Sequence, residues 1–387
     1  MAKMAWMQSV EDARARARRR LPGMLFDFID GATGQERAKA RNRAALDLLT
    51  LQPRVLTGAG EASLATTLMA KEYGLPFGIA PMGMCDLSWP GADRAYADVA
   101  KRWGIPHCVS TAASTSLEQV HAWAGERAWF QLYVGEASAG WALVERALEA
   151  GYRQLIFTVD TPQVSRRHRE LKRGFQVPFH MGPRQIWDFA NHPHWSLATL
   201  KYGVPSFGNN RDDANPNGGR GQRGKPAFDR TQNRGAVDWQ FLDALRARWP
   251  YQLIVKGVLS AADAVRIQAA GADAVYFSNH GGRQLDSAPA AIDCLCEIRQ
   301  AVGEQYPLIF DSGLRDGDDI VKALASGADF VMLGRPWLYA VAAAGHAGVE
   351  HLTHLLESDL KTVMAQLGVA QIDELDGRVL RTSSGLT

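Results

Sequence analysis

From residue 77 onward, short apolar runs alternate with stretches whose apolar positions recur at helical spacing. The runs are FGIAP (77 to 81), PHCVS (106 to 110), WFQLYV (129 to 134), LIFTVD (155 to 160), LIVKG (253 to 257), AVYFSN (274 to 279), LIFDSG (308 to 313) and FVMLGR (330 to 335). Between them, GWALVERALEAGY (140 to 152) and SAADAVRIQAAGA (260 to 272) carry the amphipathic period of helices. Strands with little polar alternation are buried on both faces, which implies a parallel sheet covered by helices. Eight strand and helix units close most economically into an α/β fold, the (β/α)₈ barrel of TIM type. AGADAVYFSN and SGADFVMLGR share a small-Gly-Ala-Asp lead-in to a strand, as though one unit were reused. A doubly wound open sheet is the alternative, and no G-x-G-x-x-G follows the first strand to support it.

Two segments break the rhythm. Residues 1–76 precede the barrel and are expected to form a helical cover with a hairpin, leaving 77–387 as the barrel unit. Residues 168–236 form a long, variable insertion after the fourth strand, ending in the polar, Gly-rich GNNRDDANPNGGRGQRGKPAFDRTQNRG, which is expected to be mobile. At a barrel mouth such an insertion acts as a lid or a contact surface.

Composition narrows the function classes. With 387 residues and 46% hydrophobic content, the chain suffices for one large core or two modest ones. Its 43 basic and 41 acidic residues leave a net charge of +2, too little to gather nucleic acid by a global field. The basic run ARARARRR (13 to 20) follows Glu11 and Asp12 and reads as a solvated helix face, a nucleic-acid or lipid contact being the alternative. Cys85, Cys108, Cys294 and Cys296 contain no C-x-x-C pair, so neither a metal site nor a disulfide framework is expected, and reduced thiols suit a cytoplasmic protein. The charged N-terminus lacks a signal-peptide apolar region, and no run of 18 apolar residues is present.

Candidate chemistry collects where a barrel keeps it, at the C-terminal strand ends. Ser110, Gln131, Tyr133, Thr158, Asp160, Lys256, Ser278, His280, Asp311 and Arg335 all fall there. DSGLRDG after strand 7 and GRP after strand 8 place glycine amides beside Arg315 and Arg335, a phosphate-binding arrangement. Lys256 ends an otherwise apolar run, where a cation could stabilise negative charge on an electron-accepting ring; a snorkelling surface lysine is the other reading. His280, taken singly in its Gly-rich turn, reads more readily as structural. With Asp160, Arg283 and the Arg166–Arg167 pair on neighbouring strand ends, it matches a base positioned by a carboxylate beside an arginine clamp for a substrate acid.

These residues together resemble the FMN-dependent L-2-hydroxy acid dehydrogenase and oxidase family, which includes glycolate oxidase, flavocytochrome b2, mandelate dehydrogenase and the respiratory L-lactate dehydrogenases. SNHGGRQLD is that family's signature. The similarity runs from LPGMLFDFIDGA (21 to 32) through APMGM, FQLYV, TVDTP, KGV and DSGLRDG to LGRPWLY (333 to 339), sparing the stretch around 170–236. The resemblance implies FMN as cofactor and His280 as catalytic base with Asp160 as its partner. It places Arg283 and Arg167 on the substrate carboxylate, Tyr133 on the hydroxyl or carboxylate, and Lys256 near flavin N1 and the C2 carbonyl. The flavin would meet Pro81, Met82, Gly83, Ser110, Gln131, Thr158 and Ser278. Asp311 would meet the ribityl chain, with Ser312, Gly313, Leu314, Arg315, Gly334 and Arg335 around the phosphate.

Phe26 stands, on this alignment, where glycolate-oxidase-like members have a substrate-binding tyrosine, and bears on substrate identity. Gly83 favours an acceptor other than oxygen, such as a quinone; an oxidase releasing hydrogen peroxide and a non-catalytic flavoprotein are the other readings. The aromatic and basic segment 179–203 implies either peripheral contact with the inner face of the cell membrane or a lid. A homo-oligomer, tetramer or octamer, is implied by the resemblance alone.

Overall fold

Eight parallel strands close into one barrel, each hydrogen-bonded to the next in chain order. They are β1 (Phe77–Met82), β2 (His107–Ser110), β3 (Ala128–Leu132), β4 (Gln154–Thr158), β5 (Gln252–Val258), β6 (Ala274–Phe277), β7 (Leu308–Phe310) and β8 (Phe330–Leu333). The computed structural model describes residues 4–58, 60–175, 182–210 and 237–382. Phe179 and most of the polar tail of the insertion therefore lie outside the described residues. Every residue of β2, β3, β4, β6, β7 and β8 is buried, which is why these strands read as nearly continuous apolar runs.

The barrel interior is filled by Ala80, Cys108, Trp129, Ile156, Ile254, Tyr276, Ile309 and Met332. A hairpin of Thr66–Leu68 and Lys71–Tyr73 adds Leu68 and Tyr73 to that cluster. The Tyr73 ring meets Trp129 and Phe330 edge-on, with centroids 6.3 and 5.3 Å apart. Trp129 and Phe330 lie at the beginnings of their strands, so the hairpin closes the N-terminal end of the barrel. Only the C-terminal mouth is left for a ligand.

Helices α1 (Val10–Arg20), α2 (Gly23–Asp30) and α3 (Arg37–Leu48) precede the barrel. Then α4 (Ala92–Trp103), α5 (Leu117–Ala124) and α6 (Ala137–Glu149) follow the first three strands. After β4 come α7 (His168–Arg173), α8 (Pro183–Ala190), α9 (Pro193–Tyr202) and α10 (Trp239–Arg248). The last four units carry α11 (Ala261–Ala269), α12 (Ala291–Val302), α13 (Gly317–Ala325) and α14 (Arg335–Leu367), which kinks at Ala344 and Gly345. Side chains of Ser116, Asp238, Ser260 and Asp316 accept backbone N–H bonds at the starts of α5, α10, α11 and α13, offsetting donors that a helix start leaves free.

The cover is fastened through Asp30, which is buried at the end of α2. Arg14 of α1 and Arg169 of α7 reach it at 2.7 Å, Lys39 of α3 at 3.3 Å, and the Tyr339 hydroxyl of α14 donates to it at 2.8 Å. Burial alone would raise the Asp30 pKa; these donors outweigh it and hold the carboxyl well below its ordinary range. Near the two chain ends, Leu49–Leu51 pairs antiparallel with Leu380–Thr382.

The basic run on α1 departs from the expected solvated face. Arg14 turns to Asp30, while Arg16 and Arg20 lie over the rings of Trp6 and Trp89 at 4.3 and 4.5 Å. Guanidinium planes stack on aromatic faces, so these cations pack the cover, and Arg18 and Arg19 stay exposed.

Candidate active site

His280 opens a single 3-10 turn after β6, with Asn279 as its cap, and itself adopts φ 57°. Its amide donates to the Ser278 hydroxyl at 2.9 Å. The ring Nδ1 lies 3.1 Å from both Asp160 oxygens, and Nε2 lies 3.2 Å from the Tyr133 hydroxyl. A carboxylate cannot donate, so Nδ1 carries the proton and Nε2 accepts from Tyr133. Burial lowers the His280 pKa below its ordinary value, with Lys256 and Arg167 adding to the effect and Asp160 opposing it. For Asp160, burial pulls upward, but His280 and Lys256 outweigh it and leave the carboxyl lowered. At neutral pH the pair is a neutral imidazole against a charged carboxylate.

Gly257 makes room for this pair. The β5–β6 register shifts between Lys256 and Val258, and Gly257 sits in that irregularity at φ 101°. A Cβ there would lie 2.5 Å from Asp160 Cβ and Cγ, so no other residue lets the carboxylate come so close to the strand.

Arg167 and Arg283 converge beside His280. Each donates at 3.2 Å to the same Oε1 of Glu170, a buried residue of α7. Arg283 also donates to the carbonyls of Phe28 and Gly31 at 2.9 and 2.8 Å, with its guanidinium 5.5 Å from the Phe28 ring centroid. Arg167 Nε is buried with no hydrogen-bond partner among the described residues. An unpaired buried donor costs about 1–3 kcal/mol, and an anionic ligand would satisfy it.

Lys256 Nζ donates to Ser278 Oγ at 2.7 Å and lies 3.3 Å from Asp311. Ser278 and Ser312 each donate to Asp311 Oδ1, at 2.5 and 2.8 Å. Ser312, itself at φ 95°, accepts the amides of Asn279 and Gly281 and thereby pins the histidine turn. On the opposite strands, Ser110 donates to Gln131, and Gln131 donates to Thr158, at 2.9 and 3.0 Å.

These groups surround one open cavity at the barrel mouth, lined by both apolar and polar side chains. Pro81, Met82, Gly83, Ser110, Tyr133, Arg167, Lys256, His280 and Arg283 line it, with Asp311, Ser312, Gly313, Leu314, Arg315, Gly334 and Arg335. Asp160, Gln131, Thr158 and Ser278 sit behind this lining and reach it through the hydrogen bonds above. The N-terminus of α14 and the turn Gly313–Arg315 border one end, and a Cβ at Gly334 would meet Met82 Sδ at 3.9 Å without crowding. This donor set, with a cation and an anion-binding helix terminus in one elongated cavity, fits a flavin mononucleotide.

Two expectations, on Phe26 and Arg166, are corrected. Phe26 does not reach the cavity: its ring faces Tyr339 at 6.5 Å and lies under Arg14 at 5.9 Å. Residues two apart on a helix point about 200° apart, and it is Phe28 that lines the cavity. Arg335 lines the cavity and also donates to the carbonyls of Ile29, Gly31 and Gly281, which anchors its guanidinium at the mouth. Arg166 is exposed, leaving Arg167 alone of that pair at the site. Glu170 and Gly257 were not expected; the i, i+3 spacing of Arg167 and Glu170 was a signal, whereas nothing in the sequence marks the bulge.

The insertion is split in character. Trp195 is buried and donates to the Leu87 carbonyl at 2.9 Å, and Phe207 lines the cavity. Ile186, Trp187, Leu197, Leu200 and Tyr202 face outward, with Trp187 73% and Leu200 82% exposed. Among the described residues, no helix is long and apolar enough to cross a membrane, and no group of three or more metal-ligating side chains occurs.

The pattern of the FMN-dependent dehydrogenase family matches residues 17–382. The (S)-mandelate dehydrogenase of Pseudomonas putida is 36% identical over 379 residues, covering 98% of this chain and 95% of that one. An L-lactate dehydrogenase of Xanthobacter autotrophicus is 36% identical over 375 residues, 95% of each chain. The solved structure of a monotopic membrane protein, (S)-mandelate dehydrogenase, superposes with a TM-score of 0.91 at 35% identity, covering 97% of this chain and 100% of that one. A mandelate oxidase structure gives 0.80 at 32% identity, covering 98% and 99%. With its closed barrel, its histidine and arginine mouth and this likeness along nearly its whole length, the chain belongs to the FMN-dependent dehydrogenases, oxidoreductases that carry FMN.

Proposed function

We propose that this protein oxidises an L-2-hydroxy acid of the lactate or mandelate type to the 2-oxo acid and passes the electrons to a quinone or another external acceptor. The observation that carries this reading is His280, held between Asp160 and Tyr133 at 3.1 and 3.2 Å in the same cavity as Arg167, whose buried Nε has no partner among the described residues.

Arg167 and Arg283 bind the substrate carboxylate, with Tyr133 beside it. His280 Nε2 receives one proton from the hydroxy acid, and Asp160 stabilises the imidazolium that results. Tyr133 and the arginines orient the reacting carbon toward the cavity floor. FMN would be held by Pro81, Met82, Gly83 and Ser110 at the first strand ends, with Gln131, Thr158 and Ser278 behind them. Asp311, Ser312, Gly313, Leu314, Arg315, Gly334 and Arg335 would hold its ribityl phosphate end. Lys256 offers positive charge to the ring, and FMN when bound supplies the two-electron acceptor. Phe28, Phe207 and Val164 give the cavity apolar walls that suit an aryl or alkyl substituent.

Peripheral membrane contact through the outer face of α8 and α9 belongs to the same reading. That face combines exposed Ile186, Trp187, Leu197 and Leu200 with Arg184 and Lys201, a composition that lies in a lipid interface. Gly83 lies against Ala112, whose Cβ would be 3.0 Å from a Cβ at position 83. The backbone there stays uncovered beside the cavity, in keeping with an acceptor bulkier than oxygen. The test is anaerobic mixing of the holoenzyme with a panel of 2-hydroxy acids, followed by a quinone analogue or oxygen. Flavin bleaching by at least one L-acid and reoxidation by the quinone are expected. Stoichiometric hydrogen peroxide would identify an oxidase instead, and no bleaching by any member would overturn the reading.

A further inference from the structure

Glu170 is a charged residue at this site that the mechanism above does not use. It lies on the first turn of α7, is 4% exposed, and its Oε1 accepts from Arg167 and Arg283 alike. The helix that carries it is itself braced on the cover: Arg169 pairs with Asp27 and Asp30, and Arg173 with Asp27 at 2.9 Å. Arg283 is fixed from its other side by the carbonyls of Phe28 and Gly31. Two guanidiniums from distant parts of the chain are thus held around one internal carboxylate.

We propose that Glu170 is a positioning residue that sets the spacing of Arg167 and Arg283 and, through its own charge, weakens their hold on the carboxylate of substrate and product. The inference rests on the reading of these arginines as the substrate clamp. Two guanidiniums against one carboxylate leave a single net positive charge facing a monoanionic acid. Removing the carboxylate charge would leave two. Such a clamp would bind an acid more tightly before and after oxidation, with no preference for the transition state, and uniform tightening of that kind does not raise turnover. An internal carboxylate also keeps the guanidiniums apart and oriented while no acid is bound, which an arginine pair alone would resist by repulsion.

The experiment titrates the FMN-loaded enzyme with oxalate, a non-reacting dicarboxylate, and follows the flavin spectrum, alongside KM and the limiting rate of flavin reduction with a reacting 2-hydroxy acid. In Glu170→Gln the oxalate Kd and the KM are expected to fall together by about tenfold, the scale of one unit charge a few ångströms away in a partly exposed site. The limiting rate is expected to stay within about threefold. Glu170→Asp keeps the charge and is expected to bind oxalate within about threefold of wild type. Glu170→Ala removes the charge together with the acceptor that spaces the two guanidiniums, so it is expected to bind oxalate more weakly than Glu170→Gln. Unchanged or weaker oxalate binding in Glu170→Gln, or alanine and glutamine variants that bind oxalate equally, would overturn the proposal. Wild-type enzyme that is reduced by hydroxy acids yet does not respond to oxalate would overturn the inference alone, and wild-type enzyme that does neither would overturn the clamp as well.

Discussion

The proposed base, His280, is held by contacts from three strand ends, and its protonation follows from them. Burial lowers its pKa, so the neutral form needed to accept a proton persists below the ordinary imidazole value of about 6.5. The acid limb of kcat/KM for flavin reduction is therefore expected below that pH. A limb at or above it would contradict the assigned environment. Asp160→Asn removes the group that opposes this lowering, so the limb should move further to acid while the rate falls. Gly257→Ala is expected to disturb the same pair, because the new Cβ would press on Asp160 from 2.5 Å at φ 101°. Loss of at least about 1 kcal/mol of stability, by thermal unfolding, together with slower flavin reduction is the expected outcome. At this scale the sequence was informative about residue types and poor about direction. The polar strand ends were legible because a lysine or aspartate at the end of an apolar run is costly to bury unless it meets a partner or a polar ligand there. Phe26 and Phe28 could not be told apart, because the choice between them depends on the rotation of α2, which only the packing of Phe26 on Tyr339 and Arg14 reveals.

Among elements, the barrel strands were the most legible. Burial on both faces removes polar alternation, and all eight apolar runs coincide with strands, although several end two residues earlier than expected where the chain turns into the site. The fastening of the cover was not legible, since Arg14, Lys39, Arg169 and Tyr339 reach Asp30 from four separate helices. Asp30→Asn leaves those cations uncompensated and is expected to cost about 3–5 kcal/mol in denaturant unfolding. In the wild type, the contribution of Asp30 is full above the ordinary carboxylate pKa of about 4 and is lost as pH falls toward its lowered value. A variant as stable as wild type at neutral pH would show that the hub is dispensable. The proposed membrane contact of helices α8 and α9 is separable from the chemistry at the mouth. Replacing Trp187 and Leu200 by serine should reduce sedimentation with anionic vesicles and leave the KM for a hydroxy acid unchanged, because neither side chain lines the cavity. A shift in KM with unchanged vesicle binding would favour a lid.

For the whole molecule, closure of the barrel brings residues 120 positions apart, Asp160 and His280, into contact, and it brings Arg167 and Arg283 onto one carboxylate. The eightfold rhythm of the sequence was enough to foresee a ring of polar groups at one mouth. It could not show that the hairpin seals the other end, because that depends on how Tyr73 meets Trp129 and Phe330 in space. In the proposed reaction this mouth removes a proton from a 2-hydroxy acid through His280, and FMN binds independently of that histidine. Anaerobic rapid mixing of wild-type and His280→Ala holoenzymes with one saturating L-2-hydroxy acid tests it most directly. The variant is expected to retain its flavin spectrum and to reduce FMN about 10² to 10⁴ times more slowly than wild type; a variant that retains FMN and reduces it at the wild-type rate would show that His280 is not the base.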